Sequence, residues 1–217
     1  RLEIKKSILK TIEGVRKEGA IVSTNTSGIS VNAMAEECGE EFRRHFLGTH
    51  FFNPPRHMKL LEIIPGFDTD PDITQFMVDF CTKRLGKGVV LAKDTPNFIS
   101  NRIGTYGLLV TLQEMVKNSY SVEEVDAATG PVLGRPKSAT FRTLDLVGID
   151  TFVHVAKNVY DNVQDGHEKD VFTVPDVLNE LVSRGWIGEK GGQGFYKKIK
   201  GDQGSTILSL NLSTMEY

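Results

Sequence analysis

Four polar side chains in the first half of the chain have types and positions suited to proton transfer: Ser27, His50, Glu62 and Asn101. An imidazole serves as a general acid or base because its pKa lies near neutrality. Glu62 is an acidic residue in an otherwise apolar segment, where a charge is costly unless it is paired. On a neighbouring strand it could hold one ring nitrogen of His50, so that the other nitrogen accepts the proton of an alcohol.

Apolar periodicity predicts an α/β segment that positions these side chains. Residues 3–18 have helical spacing and end at Gly19, and residues 20–23 are typical of a short buried strand. This strand leads into a polar turn at 25–28, as in a parallel α/β sheet, where ligand loops follow the carboxyl ends of strands. Further strands are predicted at 46–52, 58–64 and 88–91, and a helix at 71–85.

Beyond residue 94 we predict helices and no strand. Asp94-Thr95-Pro96 is interpreted as the opening of a long helix over 97–118. This helix is apolar on more than one side, which is typical of a helix buried between others or in a dimer interface. Ser121-Val122-Glu123-Glu124 has the pattern of a capping box. Other helices are predicted near 138–146, 149–163 and 174–184.

Composition and charge exclude several classes of function. The chain has 217 residues and a net charge of -2, without a basic surface for nucleic acid. No apolar run is long enough to span a bilayer and no signal peptide is evident, so we expect no membrane partner and a cytoplasmic location. Cys38 and Cys81 stand apart from any ligand pattern, and the spacing of His45, His50 and His57 matches no helical metal motif, so no metal site is expected.

Five segments, in this order along the chain, resemble the signature set of the 3-hydroxyacyl-CoA dehydrogenases. They are Asn25-Thr26-Ser27, Gly48-Thr49-His50-Phe51-Phe52-Asn53-Pro54, Met58-Lys59-Leu60-Leu61-Glu62, Asp94-Thr95-Pro96-Asn97-Phe98-Ile99-Ser100-Asn101-Arg102 and Gly191-Gly192-Gln193-Gly194-Phe195-Tyr196. The likeness extends from about Leu2 to Tyr196. An ordered set of five is far more specific than any one of its members.

The resemblance implies a fold and a reaction. The fold is part of a Rossmann-type NAD-binding domain at 1–93, followed at 94–199 by a helical domain similar to that of 6-phosphogluconate dehydrogenase. The reaction is oxidation of an L-3-hydroxyacyl-CoA to the 3-ketoacyl-CoA with NAD, as in fatty-acid β-oxidation. The implied partners are an acyl-CoA substrate and a second copy of the chain, which dimerises through the helical domain.

The same resemblance implies roles for individual residues. His50 is the acid/base and Glu62 orients it. Ser27 and Asn101 are the other catalytic candidates, and both are implied to bind the substrate. Four residues are implied to contact the cofactor: Lys5, Ser27, Asn53 and Lys190.

The chain departs from the family pattern in two places. The Gly-rich strand–turn–helix that cradles the pyrophosphate is missing, and we expect it before residue 1, with the chain starting inside the domain. The glycines at 188–194 follow helices rather than a strand, so we reject them as a phosphate loop. Residues 200–217 are expected to be a linker or the start of a further module.

Two other functions stay open at this point. These residues could form an inert module that dimerises or binds acyl-CoA without turnover. They could also belong to a related NAD-dependent dehydrogenase that acts on a free hydroxy acid.

Overall fold

A computed structural model of the protein describes residues 1–163, 166–201 and 204–217. The chain forms two compact units, Arg1–Arg102 and Ile103–Tyr217. The first unit combines helices with a sheet and the second is mainly helical. The predicted fold class, an α/β part followed by a helical part, is therefore confirmed.

The first unit contains four helices and four strands before the long helix begins. The helices are α1 (Leu2–Val15), α2 (Val31–Ala35), α3 (Glu40–Arg44) and α4 (Pro71–Lys83). The strands are β1 (Val22–Thr24), β2 (Phe46–Phe51), β3 (Leu60–Pro65) and β4 (Gly88–Leu91). Every predicted element of this part is present within a few residues. Helices α2 and α3 are not predicted, because five residues are too few to show a helical period.

The four strands form one mixed sheet in the order β1-β2-β3-β4. Strands β1 and β2 are parallel, and so are β3 and β4, but β2 and β3 are antiparallel. The expectation of a parallel sheet is therefore wrong for the central pair. Residues 52–59 join these two strands, and a connection this short suits an antiparallel pair because a parallel crossover needs about a dozen residues or more.

Strand β2 is buried on both faces. Phe46 packs in an apolar cluster with Leu9 of α1 and Met34 of α2. Its neighbour Leu47 packs in a second cluster that includes Cys81 of α4. Because successive side chains of a strand point to opposite faces, this two-sided burial accounts for the adjacent apolar residues Phe46 and Leu47.

Asp94 does not open the long helix, so that prediction is wrong. Its carboxylate accepts hydrogen bonds from the Ser30 hydroxyl (2.6 Å) and from the backbone amides of Val31 and Asn32 (2.9 Å each). Asp94 therefore stabilises the N-terminus of α2, where free amides and the helix dipole favour a negative charge. The long helix α5 (Ser100–Asn118) begins at Ser100 instead.

The described part of the second unit consists of helices and one hairpin. Its further helices are α6 (Val122–Thr129), α7 (Phe141–Val147), α8 (Ile149–Asn162), α9 (Gly166–Val171) and α10 (Asp176–Ser183). The hairpin consists of β5 (Tyr196–Gly201) and β6 (Gly204–Ser209). The predicted capping box is confirmed, since Ser121 and Glu124 each accept a hydrogen bond from the backbone amide of the other.

The hairpin overturns the prediction that no strand follows residue 94. Strands β5 and β6 pair in antiparallel fashion from Tyr196↔Ser209 to Gly201↔Gly204. The lysine-rich sequence of β5 lacks the apolar alternation from which strands are predicted. After β6 the chain returns to the helices and buries Leu210 in their core. Residues 202 and 203 of the predicted linker lie outside the described residues, and a further module after this segment stays a prediction.

Helix α5 is apolar on more than one side, as predicted. Leu109, Leu112 and Met115 are buried in the core of the second unit. Ile103, Tyr106 and Val116 are exposed on the chain. Throughout residues 1–163, 166–201 and 204–217, no helix combines the length and the apolar character that crossing a bilayer demands.

Candidate active site

The antiparallel pairing of β2 and β3 sets His50 directly opposite Glu62. His50 Nδ1 lies 2.6 Å from Glu62 Oε2, and the two side chains are 7% and 0% exposed. The predicted contact between these residues is therefore present. It follows from the register, because opposite residues on one face of an antiparallel pair have neighbouring side chains.

The other oxygen of Glu62 faces the start of α5. Glu62 Oε1 accepts hydrogen bonds from the backbone amides of Ile99 (3.1 Å) and Ser100 (2.7 Å). Burial raises the pKa of this carboxyl, but the hydrogen bonds from His50 and from the backbone and hydroxyl of Ser100 outweigh burial and leave the pKa below its usual value. Glu62 is therefore a carboxylate in the folded protein.

An ionised Glu62 determines which nitrogen of His50 carries the proton. A carboxylate only accepts hydrogen bonds, so Nδ1 must donate the proton, and in the neutral imidazole Nε2 then carries the lone pair. Nε2 can then accept a proton from a bound group, and the negative charge of Glu62 stabilises the resulting imidazolium. The pair is built for general acid–base chemistry.

Two aromatic rings flank the imidazole of His50. The ring centroid of Phe52 lies 4.6 Å from that of His50, and the centroid of Phe98 lies 5.5 Å away, both in edge-on geometry. These apolar rings displace water from the pair. In the resulting low-dielectric surroundings, the attraction between Glu62 and an imidazolium is stronger than it would be in water.

Ser27 lies in the loop that follows β1, and this loop is tied to the end of β2. Asn25 Oδ1 accepts a hydrogen bond from the backbone amide of Phe51 (2.8 Å), next to His50. The Thr49 hydroxyl also donates to Ser23 Oγ (3.0 Å) between the two strands. Because β1 and β2 are parallel, their carboxyl ends share one edge of the sheet, where ligands of α/β proteins bind.

The other predicted site residues of the first unit lie around this edge or on the nearby helices. Asn101 follows Ser100 in the first turn of α5, one residue beyond the amide that holds Glu62. Asn53 is exposed directly after Phe52. Lys5 is partly exposed on α1. Their contacts with substrate or cofactor stay predictions.

Lys190 lies in the second unit, within the glycine-rich segment 188–194. Its Nζ is 2.6 Å from Asp150 Oδ1 and donates a hydrogen bond to Thr151 Oγ1 (3.2 Å) at the start of α8. The segment itself packs against α7. The backbone amides of Phe195 and Tyr196 bind the Asp145 carboxylate at 2.8 and 2.9 Å.

The sequence-based reasoning missed the residues that surround His50 and Glu62. The sequence analysis does not predict that the rings of Phe52 and Phe98 flank His50. It also does not predict that the backbone amides of Ile99 and Ser100 donate hydrogen bonds to Glu62. One signal was available: Asn97 precedes Phe98, and asparagine tolerates the left-handed backbone that both residues adopt (φ 57° and 55°). This turn ends the extended segment and delays the start of α5.

The residues present at this edge suit the nicotinamide end of a dinucleotide. His50 Nε2 is a proton acceptor. The loop after β1, which is hydrogen-bonded to the residue next to His50, carries the side-chain amide of Asn25 and the hydroxyl of Ser27. Such donors and acceptors match the amide and ribose groups of the cofactor. Among the residues whose placement is described, no cluster of three or more His, Cys, Asp or Glu side chains has the arrangement of a metal site.

Two family models match the chain. Residues 1–95 match the 3-hydroxyacyl-CoA dehydrogenase NAD binding domain, and residues 98–198 match the 3-hydroxyacyl-CoA dehydrogenase C-terminal domain. Together the matches cover nearly all of the sequence.

Named relatives carry the same description. A probable 3-hydroxyacyl-CoA dehydrogenase of Bacillus subtilis is 62% identical over 216 residues, which are 100% of this chain and 27% of that protein. A probable 3-hydroxyacyl-CoA dehydrogenase of Deinococcus radiodurans is 44% identical over 94% of this chain and 58% of its own length. The chain thus spans about a quarter of the length of the Bacillus subtilis relative and somewhat more than half of the length of the Deinococcus radiodurans relative.

Solved structures share the fold. FadB2 of Mycobacterium tuberculosis superposes with a TM-score of 0.82 at 29% identity, over 91% of this chain and 67% of that one. The (S)-3-hydroxybutyryl-CoA dehydrogenase PaaH1 of Ralstonia eutropha superposes with a TM-score of 0.78 at 30% identity, over 88% of this chain and 65% of that one.

Proposed function

Because this chain belongs to the 3-hydroxyacyl-CoA dehydrogenase family, we propose that the protein oxidises an L-3-hydroxyacyl-CoA to the 3-ketoacyl-CoA with NAD. His50 is the acid/base and Glu62 is its orienting partner. The observation that carries this proposal is the buried 2.6 Å contact between His50 Nδ1 and Glu62 Oε2, which leaves Nε2 free to take a proton.

The residues of this chain handle the proton of the reaction. His50 Nε2 accepts the proton of the C3 hydroxyl as the O–H bond breaks and the C=O bond forms. Bound NAD supplies the acceptor for the hydride that leaves carbon 3. Glu62 stabilises the imidazolium until its proton passes to solvent. Ser27 and Asn101 hold the substrate oxygen, so that the hydroxyl faces Nε2 during the transfer.

Cofactor contacts are proposed for four residues. Ser27 and Asn53 follow the carboxyl ends of β1 and β2, where the nicotinamide end would bind. Lys5 and Lys190 supply positive charge for the anionic part of the dinucleotide. Lys190 already pairs with Asp150, so it would have to share or leave that partner.

Three further features belong to the same proposal. The setting is fatty-acid β-oxidation, in the cytoplasm. The protein is a homodimer through its helical domain, and the exposed apolar residues of α5 support this, since Ile103 is 67% exposed on the chain. The two cysteines are unpaired and buried, in keeping with a reducing compartment.

An absorbance assay tests the proposal directly. The full-length protein is mixed with NADH and acetoacetyl-CoA, and loss of NADH is followed for the wild type, His50→Gln and His57→Gln. His57 is the matched control, because it is an exposed histidine of the loop after β2. We expect the His50→Gln rate to fall at least about a hundredfold and the His57→Gln rate to stay near wild type.

Two outcomes would contradict the proposal. Absence of turnover by the wild type, together with binding of acetoacetyl-CoA, would indicate a binding module without catalysis. Turnover of free acetoacetate in preference to its CoA thioester would indicate a dehydrogenase of free hydroxy acids.

A further inference from the structure

We infer that the segment Asn97–Ser100 is a positioning element of the proposed active site, because its backbone holds the Glu62 carboxylate that orients His50. The inference rests on the proposed function for its meaning in catalysis. Its structural part, the control of Glu62 and of the His50 tautomer, is testable without substrate. Ile99 and Ser100 bind Glu62 through their backbone amides, so the types of these residues do not reveal the contact.

The first observation concerns the hydrogen bonds of Glu62. The carboxylate is 0% exposed, and its oxygens receive donors from two directions. Oε2 accepts from His50, and Oε1 accepts from the amides of Ile99 and Ser100. The Ser100 hydroxyl also helps to lower the pKa of this carboxyl. A buried charge needs this many donors to persist, and the donors also prevent rotation about the last bond of the side chain.

The second observation concerns the backbone that delivers these amides. Asn97 and Phe98 both adopt the left-handed region, with φ of 57° and 55°. Asparagine is found there far more often than other non-glycine residues, but for phenylalanine the conformation is unfavourable. This strained turn lies just before α5. As a result, the amides of Ile99 and Ser100 face β3.

The third observation explains what stabilises the turn and links it to His50. The Phe98 side chain is buried in the cluster that contains Val31, Phe46 and Ile64, and this burial offsets the backbone cost. Its ring also lies against the His50 imidazole, with centroids 5.5 Å apart. One short segment thus contacts both members of the catalytic pair, the histidine through a ring and the glutamate through its backbone.

The decisive experiment removes a single backbone donor. Ser100 is the first residue of α5, where proline is tolerated because the amide makes no bond within the helix. Ser100→Pro removes both the hydroxyl and the amide hydrogen, whereas Ser100→Ala removes the hydroxyl alone. The difference between the two variants therefore isolates the 2.7 Å bond to Glu62.

Two readouts are compared in the full-length protein. One is kcat with acetoacetyl-CoA and NADH. The other is the ¹⁵N NMR signal of the His50 ring, which reports which nitrogen carries the proton and is assigned by its loss in His50→Gln. We expect Ser100→Pro to lower kcat about tenfold below Ser100→Ala, the effect of one hydrogen bond to a charged group. We also expect a loss of the pure Nδ1–H form in Ser100→Pro only.

A second pair of variants tests the turn itself. Glycine adopts a positive φ freely, but valine disfavours it, so Asn97→Gly keeps the turn and Asn97→Val opposes it, while both lose the asparagine side chain. We expect the NMR signal of His50 to stay close to wild type in Asn97→Gly and to change in Asn97→Val. This pair decides the question if Ser100→Pro does not fold.

The outcomes separate this inference from the proposed function. Equal kcat and equal His50 spectra in Ser100→Pro and Ser100→Ala would overturn the positioning role. A wild type without turnover, but with an Nδ1–H histidine that Ser100→Pro disturbs, would refute the proposed reaction and leave the positioning of Glu62 in place.

Discussion

Each unit of the protein contains a buried carboxylate that accepts hydrogen bonds from two backbone amides. The pKa values of the two carboxyl groups are shifted in opposite directions. Glu62 is 0% exposed and binds the amides of Ile99 and Ser100, whereas Asp145 is 1% exposed and binds those of Phe195 and Tyr196. The pKa of Glu62 lies below its usual value. Burial raises the pKa of Asp145 to about 6, although its two amides lower it.

The difference between them is the histidine. Glu62 has an imidazole 2.6 Å away that can carry a positive charge. No ion pair reaches Asp145 from the residues that the structure describes. Asp145 therefore lacks a proton-transfer partner and fastens the glycine-rich segment to α7. A perturbed pKa is often taken as a sign of function, but the raised pKa of Asp145 belongs to a group without an ion-pair partner among the described residues. The histidine partner distinguishes Glu62, the carboxylate of the proposed site, from Asp145.

The strongest test of this contrast substitutes both carboxylates by amides. Glu62→Gln keeps the size of the side chain but removes the charge that fixes the His50 tautomer, so we expect turnover to fall at least about a hundredfold. Asp145→Asn should leave kcat per folded molecule unchanged. Both rates are measured with NADH and acetoacetyl-CoA, and folding is checked by circular dichroism. A large loss of kcat in folded Asp145→Asn would break the contrast.

The second prediction concerns the space around Asp145. A methyl group added at Gly194 would overlap Asp145 Oδ1, so Gly194→Ala must displace the carboxylate or the segment. We expect a loss of about 2–3 kcal/mol in the free energy of unfolding, the usual cost of overpacking a tight core. Chemical denaturation measures it. The matched control is Gly107→Ala in α5, where a methyl group meets nothing within 4 Å, and a gain of up to about 1 kcal/mol is expected there.

The third prediction is the pH dependence of Asp145. Its pKa is raised to about 6, so the folded protein binds this proton more tightly than the unfolded chain does. The stabilisation is full below the unfolded pKa and is lost as the pH rises through 6. In Asp145→Asn this pH-dependent contribution is absent. One N–H group of the new side chain also faces a backbone donor, which should lower the free energy of unfolding by about 1–3 kcal/mol.

The measurement is the difference in unfolding free energy between the wild type and Asp145→Asn. We expect this difference to shrink by about 1 kcal/mol between pH 5 and pH 7.5. A difference that grows over this range would mean that the carboxylate is stabilised by its two amides more than it is penalised by burial.

The same two carboxylates show how far the sequence predicts the structure. Glu62 was predictable because an acidic residue inside an apolar strand requires a partner, and the strand register brings His50 to it. Asp145 lies in a helix, where a charged residue ordinarily faces solvent, so the sequence pattern does not indicate that this side chain is buried. Its ligands also come from residues 195 and 196. Contacts this distant in sequence, and those made by backbone amides, are not encoded in local spacing.

Capping interactions were predictable only where both partners lie within one turn. The box of Ser121 and Glu124 is local and was found. Asp94 caps α2 from far along the chain, and its position before Thr95-Pro96 suggested the wrong helix. The hairpin was missed for a different reason. Its strands are mostly exposed and β5 carries lysines, so the apolar alternation that marks a half-buried strand is absent.

The last and smallest predicted effect concerns Asp150, which has a charged partner but is not deeply buried. Lys190 lies 2.6 Å away and holds the pKa of Asp150 below its usual range. The side chains of Lys190 and Asp150 are 46% and 40% exposed, so water and salt screen their attraction. We expect Asp150→Asn to change the free energy of unfolding by less than about 1 kcal/mol, and the change to diminish in 0.5 M salt. Denaturation at low and high salt measures both. A cost as large as that of Asp145→Asn, and independent of salt, would show that pairing alone stabilises a carboxylate in this fold. The expected result would mean that a charged partner matters only where water is excluded, as it is around Glu62.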